Sequence, residues 1–185
     1  MDQFMEEVVT KRKKSSENLM YALSYVVMII SGIIAVFMFN LITMAIGSQG
    51  FSSGMILDIA VTLAMIASSV LVFLYKDRIK TEYEYTFTNG TLDFAKVFNN
   101  RKRKNIGTMN VRNIEACGMV SSGSFQRYLK MPNIKRINWF VNRDAELFYL
   151  YFQKDTVKSL MILEPSTEMR TLIIKAAGPG KHQQN

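Results

Sequence analysis

The side chains able to do chemistry in this chain are few and badly matched. His182 is its one histidine and Cys117 its one cysteine, so a His/Cys metal centre or a Cys-His nucleophile pair would have no further partners. His182 falls in a polar tail expected to be flexible, and Cys117 reads as a buried, inert thiol. The sequence contains no GxxxxGK[ST] or GxGxxG phosphate loop, and no run sets two carboxylates up to share a pocket. No catalytic, cofactor or metal residue is nominated, and the chain is expected not to be an enzyme. A single cysteine also forbids an intramolecular disulfide, and nothing points to an oxidising compartment.

What remains is charge. Arg101, Lys102, Arg103 and Lys104 form the densest basic run, flanked by Lys96 and Arg112. Phosphate-bearing surfaces attract such clusters, and each Lys or Arg held against an anionic leaflet contributes about 1 kcal/mol. The alternative is a solvated basic face that binds nothing.

Charge is also distributed unevenly. Residues 76–185 carry 19 Lys or Arg against 10 Asp or Glu, whereas Asp58 is the only ionised group between Leu19 and Tyr75. This split predicts a membrane segment followed by a basic soluble domain. Residues 19–46 form an uncharged run longer than the ~30 Å hydrocarbon core requires, and residues 55–75 form a second run long enough to cross once. The connector from Gly47 to Gly54 is rich in Gly and Ser, which suits a turn between antiparallel helices. The first run also exceeds the roughly 7–15 apolar residues of a cleaved signal.

Lys11 to Lys14 precede the first run and Lys76, Arg78 and Lys80 follow the second, while the connector has no cation. The positive-inside rule then puts both termini in the cytoplasm of a multi-pass cell-membrane protein. Asp58 lies three residues into the second run, where a carboxylate reaches water and favours the helix N-terminus. Ala60, Ala64 and Ser68 recur every four residues, a small-residue face for close packing against the first helix or for a homodimer. Residues 1–18 are expected as a cytoplasmic segment, either an amphipathic interfacial helix or a frayed end.

After Lys80 the apolar pattern alternates. Tyr83, Tyr85 and Phe87 share one face of a strand, Asn89-Gly90 supplies a type I′ turn, and Leu92, Phe94 and Val97 continue in a second strand. Further strands are predicted around residues 105–115, 136–141, 146–153 and 157–163, with residues 121–124 as a longer loop and consecutive antiparallel pairing. Met169, Leu172, Ile173, Ala176 and Ala177 then mark one amphipathic helix, with Pro165 before it and Gly178-Pro179 behind. The soluble domain thus covers residues 76–178, and residues 179–185 form a tail.

Six or seven strands closed by one C-terminal helix resemble the pleckstrin-homology (PH) fold. Tyr85, Thr88 and Leu92, followed by the basic run Arg101 to Lys104, are similar to the first two hairpins of bacterial PH-like domains. The opening MDQFMEEVVTK and the whole layout resemble an uncharacterised Gram-positive family of small two-span proteins, a domain of unknown function. That likeness implies an α+β membrane protein: a two-helix transmembrane hairpin followed by a PH-like antiparallel β-barrel or sandwich capped by a C-terminal helix. No activity comes with it.

The functional expectation is a membrane-anchored scaffold or interaction module in the bacterial inner membrane. Its basic residues would meet anionic lipid or an acidic protein partner. A second reading is an accessory subunit of a larger membrane complex. A third and less favoured one is nucleic-acid binding, suggested by aromatics beside cations in RYLK and KRINWF.

Overall fold

The computed structural model describes residues 3–183 and divides into two compact units, Lys13–Lys80 and a unit built from residues 1–12 together with Thr81–Asn185. The first contains α1 (Ser15–Gln49) and α2 (Met55–Tyr75), followed by a 3-10 turn at Lys76–Ile79. At about 1.5 Å per residue α1 is roughly 50 Å long and α2 roughly 31 Å. Both are long and apolar enough to cross a bilayer. Helix α1 runs three residues further than the sequence pattern indicated, to Gln49, where Gly50 at φ +76° ends it and donates its N–H to Ile46 O at 3.0 Å.

The helices of this unit meet along a seam spaced three and four residues apart, with Ser24, Met28, Ser31 and Ala35 on α1 and Met55, Thr62 and Ser69 on α2. Its hydroxyls are satisfied without water: Ser31 donates to Met28 O, Thr62 to Asp58 O at 2.8 Å, and Ser69 to Met28 O on the other helix. Ala60 and Ala64 lie outside this seam and are exposed. The expectation that they and Ser68 pack on the first helix is therefore corrected for the two alanines. The winning period is 3.5, because facing helices mesh along a heptad seam rather than an i, i+4 row.

The second unit is two packed sheets and two helices. Sheet A runs β1 (Phe4–Val9), β2 (Thr81–Thr88), β3 (Thr91–Phe98) and β4 (Lys102–Asn110), each antiparallel to the next. The Asn89-Gly90 turn has positive φ at both residues, as read from sequence. The N-terminal segment is neither an interfacial helix nor frayed: β1 pairs with β2 from Phe4 opposite Thr88 to Val9 opposite Tyr83. Alternation explains this, since Met5 and Val9 face the core beside Phe87 and Tyr83 while Phe4, Glu6 and Val8 point outward.

Sheet B has the order β6 (Lys135–Trp139), β8 (Val157–Leu163), β7 (Phe148–Lys154), β5 (Ile114–Met119) and β9 (His182–Gln183). Here consecutive antiparallel pairing is overturned, because β6 lies parallel to β8 and β9 parallel to β5. The segment expected as a loop leads into helix α3 (Gly123–Leu129), whose Phe125 and Tyr128 cover Tyr149 and Tyr151 on the outer face of β7. With that face covered, β7 and β8 are buried on both sides, which accounts for their unbroken apolar runs. Helix α4 (Thr167–Ala177) inserts Met169, Ile173 and Ala177 into the core between the sheets. Ser166 caps it by accepting Met169 N–H at 3.2 Å.

The tail is not loose along its described length. Lys181 O accepts Cys117 N–H at 2.9 Å, and His182 and Gln183 pair with Cys117 and Gly118. Gln184 and Asn185 lie outside the described residues.

Candidate functional site

The β3–β4 hairpin carries most of the basic residues singled out by sequence, and the two-residue strand period sorts them. Lys96 lies opposite Lys104 and Tyr83, and Phe98 opposite Lys102 and Thr81, all on the inward-facing rows of sheet A. The Lys96 ammonium sits 5.3 Å from the Tyr83 ring centre. Arg103 points to the other face, where its Nε donates to both carboxylate oxygens of Glu84, at 2.9 and 3.1 Å, and its Nη2 bonds one of them. That hydrogen-bonded carboxylate holds the Arg103 guanidinium above its ordinary pKa. Arg101 is exposed in the turn, which Asn99 and Asn100 build with positive φ.

Four cations, Lys96, Arg101, Lys102 and Lys104, thus gather at one end of the sheet. Arg103 is engaged with Glu84. Arg112 is separated from them: it lies just beyond β4, at the end where Asn110 meets Thr91, and its carbonyl accepts the Lys181 ammonium at 2.7 Å.

A polar staple holds the N-terminal strand in place. Glu7 accepts Ser166 N–H on both carboxylate oxygens at 3.1 Å. Burial raises the Glu7 carboxyl above its usual range, with the Ser166 hydrogen bonds opposing. Asn142, nearly buried, donates to Thr10 O and to Glu164 and accepts Arg12 N–H at 2.9 Å. Tyr85 donates to Trp139 O, and burial pushes its phenol well above the ordinary value. These partners pin β1, the β6 end and the approach to α4 together. Sequence patterning offered no signal for them, since each is an isolated polar residue in its own segment.

Between β4 and the β6–β8 edge the sandwich stays open, leaving a cavity of about 470 Å³. Phe94, Met109, Ile137, Phe152 and Met161 form an apolar wall, and Trp139 closes one side with its ring centre 4.8 Å from that of Phe94. Gly107 permits this, because a Cβ there would stand 3.0 Å from the Trp139 Cη2 atom.

Cys117 and His182, which the sequence separates widely, are register partners, but the geometry suits a structural thiol. Burial raises the Cys117 pKa to about 11, the opposite of what a nucleophile requires.

In the helical unit, cations and aromatics gather at the end where α2 stops. Lys76 lies 4.1 Å from the Phe73 ring, Arg78 4.5 Å from Tyr75 and Lys80 4.6 Å from Tyr21. Such Tyr, Lys and Arg belts characterise a lipid–water interface. Asp58 is exposed in the first turn of α2.

Neither the curated proteins nor the solved structures contain a match to this chain. A family model described as a bacterial PH-like domain (DUF6106) matches residues 1–181, so N-terminal strand, apolar helices and sandwich are included together. The chain belongs to the bacterial PH-like domain family DUF6106.

Proposed function

We propose that this protein is a non-enzymatic, membrane-anchored interaction module whose β3–β4 hairpin engages the anionic headgroups of the cytoplasmic leaflet. The observation that carries the reading is a row of register partners, Thr81, Phe98 and Lys102. Thr81 directly follows Lys80 in the chain, so the basic turn belongs to the end of sheet A that the apolar helices tether. Val9, at the end of β1, pairs with Tyr83 near the same end.

Lys96, Arg101, Lys102 and Lys104 would then contribute about 4 kcal/mol together at low salt. In this reading α1 and α2 both cross, with the Lys and Tyr belt and both termini on the cytoplasmic side. Support for lipid over nucleic acid comes from the aromatics: Tyr128 is stacked on Tyr151 at 4.5 Å and Trp139 against Phe94, so neither offers an open platform for bases.

The test is amide exchange on the full chain in nanodiscs of phosphatidylcholine alone and of phosphatidylcholine with phosphatidylglycerol. Residues 98–104 should exchange more slowly on the anionic bilayer, and high salt or the combined change of Lys96, Arg101, Lys102 and Lys104 to Gln should abolish the difference. Equal exchange on both bilayers would reject the proposal.

A further inference from the structure

The open cavity between the sheets lies apart from the lysine-rich turn and has a polar feature that the fold does not use. Ser159, 4% exposed, faces this cavity, and its hydroxyl has no hydrogen-bond partner among the described residues. Although the residue as a whole is almost covered, its oxygen is not sealed off, so a polar group entering the cavity can reach it. On the neighbouring strands its register partners are Lys135 and Phe152. Lys135 and Lys154 line the same mouth, with Asp155 beside Lys154. The site therefore has an apolar body, one waiting hydroxyl and two cations against one carboxylate at its entrance. Its volume lies in the range of small-molecule pockets.

We propose that this cavity binds a single-chain amphipathic anion, with its hydrocarbon part against Phe94, Trp139 and Met161 and its acidic head on Ser159 Oγ and the Lys135 ammonium. Neutral alcohols share the hydrocarbon but forgo the charge-assisted bond, and cationic amphiphiles meet two lysines. Selectivity for the anion over the alcohol should be about tenfold. The anion can arrive from water or from the bilayer, and the two sources are separable.

Trp139 is the chain's one tryptophan and forms part of the wall, so its fluorescence reports occupancy directly. The full chain in phosphatidylcholine nanodiscs is titrated with octanoate, octan-1-ol and octylammonium from water. In a separate arm, lysophosphatidylglycerol is included in the bilayer. A saturable change with octanoate identifies a water-borne ligand, and one with the lysolipid alone a bilayer-borne ligand. Either effect should weaken about tenfold in Ser159→Ala and in Lys135→Gln while the response to octan-1-ol is kept. Thermal unfolding of each variant verifies that the fold survives. Equal responses to all three octyl compounds, an unsaturable drift in every arm, or variants that bind the anion as wild type does would overturn the proposal. The hairpin–leaflet reading is scored by exchange at residues 98–104, so the two can fail separately.

Discussion

Glu7 and Ser166 stand 159 positions apart in the chain, yet both carboxylate oxygens of Glu7 accept the Ser166 backbone N–H at 3.1 Å. The same Ser166 caps α4, so one residue ties the first strand of sheet A to the helix that plugs the core. The N-terminal strand is thus an integral part of the domain, although the two apolar helices interrupt it in sequence.

Replacing Glu7 by Ala should destabilise the domain by about 1–2 kcal/mol, since the Ser166 N–H loses its acceptor. The pH dependence has a definite sign. Burial raises the Glu7 pKa in the folded state, so the native protein holds this proton more tightly than the unfolded chain. The proton-linked part of the Glu7 contribution is therefore fullest below the ordinary carboxylate range and is lost as pH rises through the raised value, while the Ser166 hydrogen bond itself persists. Stability of wild type minus that of Glu7→Gln, from denaturant melts in a pH series, should grow on acidification. A flat difference would count against the assignment.

Deleting residues 3–10 should expose the β2 edge and uncover Tyr83, Tyr85 and Phe87, which Met5, Glu7 and Val9 face across the pair. A fragment starting at Thr81 is accordingly expected to show raised proteolysis and loss of cooperative melting, and supplying residues 1–12 through a flexible linker should restore both. If the short fragment melts like the intact protein, β1 is dispensable.

This strand also shows where the sequence was legible and where it was not. The Asn89-Gly90 hairpin, helix α2 and helix α4 each obey a single local rule, and all three stand where pattern put them. The stretch FMEEVV permits either period, and only its distant partner β2 decides for a strand. Likewise β6 pairs with β8 because α3 and the following residues carry the chain across the outer face of sheet B, a non-local choice. The basic run was visible as composition, but its division, with Arg103 drawn to Glu84 and Arg112 at the other end, follows from register. The cavity and Ser159 left no local trace at all.

Gly118→Ala should release the C-terminal strand. A Cβ there would lie 2.7 Å from Gln183 O and 3.1 Å from the Tyr149 ring, so either β9 detaches or β7 shifts. Overpacking of this kind costs about 1–3 kcal/mol. Amide exchange should accelerate at residues 181–183 and at Cys117, and unchanged protection there would speak against the pairing.

Within the helical unit, Ser31→Leu and Ala35→Leu enlarge buried seam positions, whereas Ala60→Leu and Ala64→Leu enlarge exposed ones. The first pair should lower thermal stability in detergent by about 1–3 kcal/mol, and the second pair should change it by less than about 0.5 kcal/mol. The reverse order would move the seam to the other face, or show that Ala60 and Ala64 form a contact between copies.

The proposed arrangement has both apolar helices cross the bilayer, with the connector outside and the sandwich in the cytoplasm. In a Cys117→Ala background, single cysteines at Ser52 in the connector and at Thr156 in the exposed β7–β8 turn can be challenged with a membrane-impermeant maleimide in intact cells. Position 52 should label at once and position 156 only after the membrane is opened. Labelling of position 156 from outside, or of neither position until permeabilisation, would contradict it.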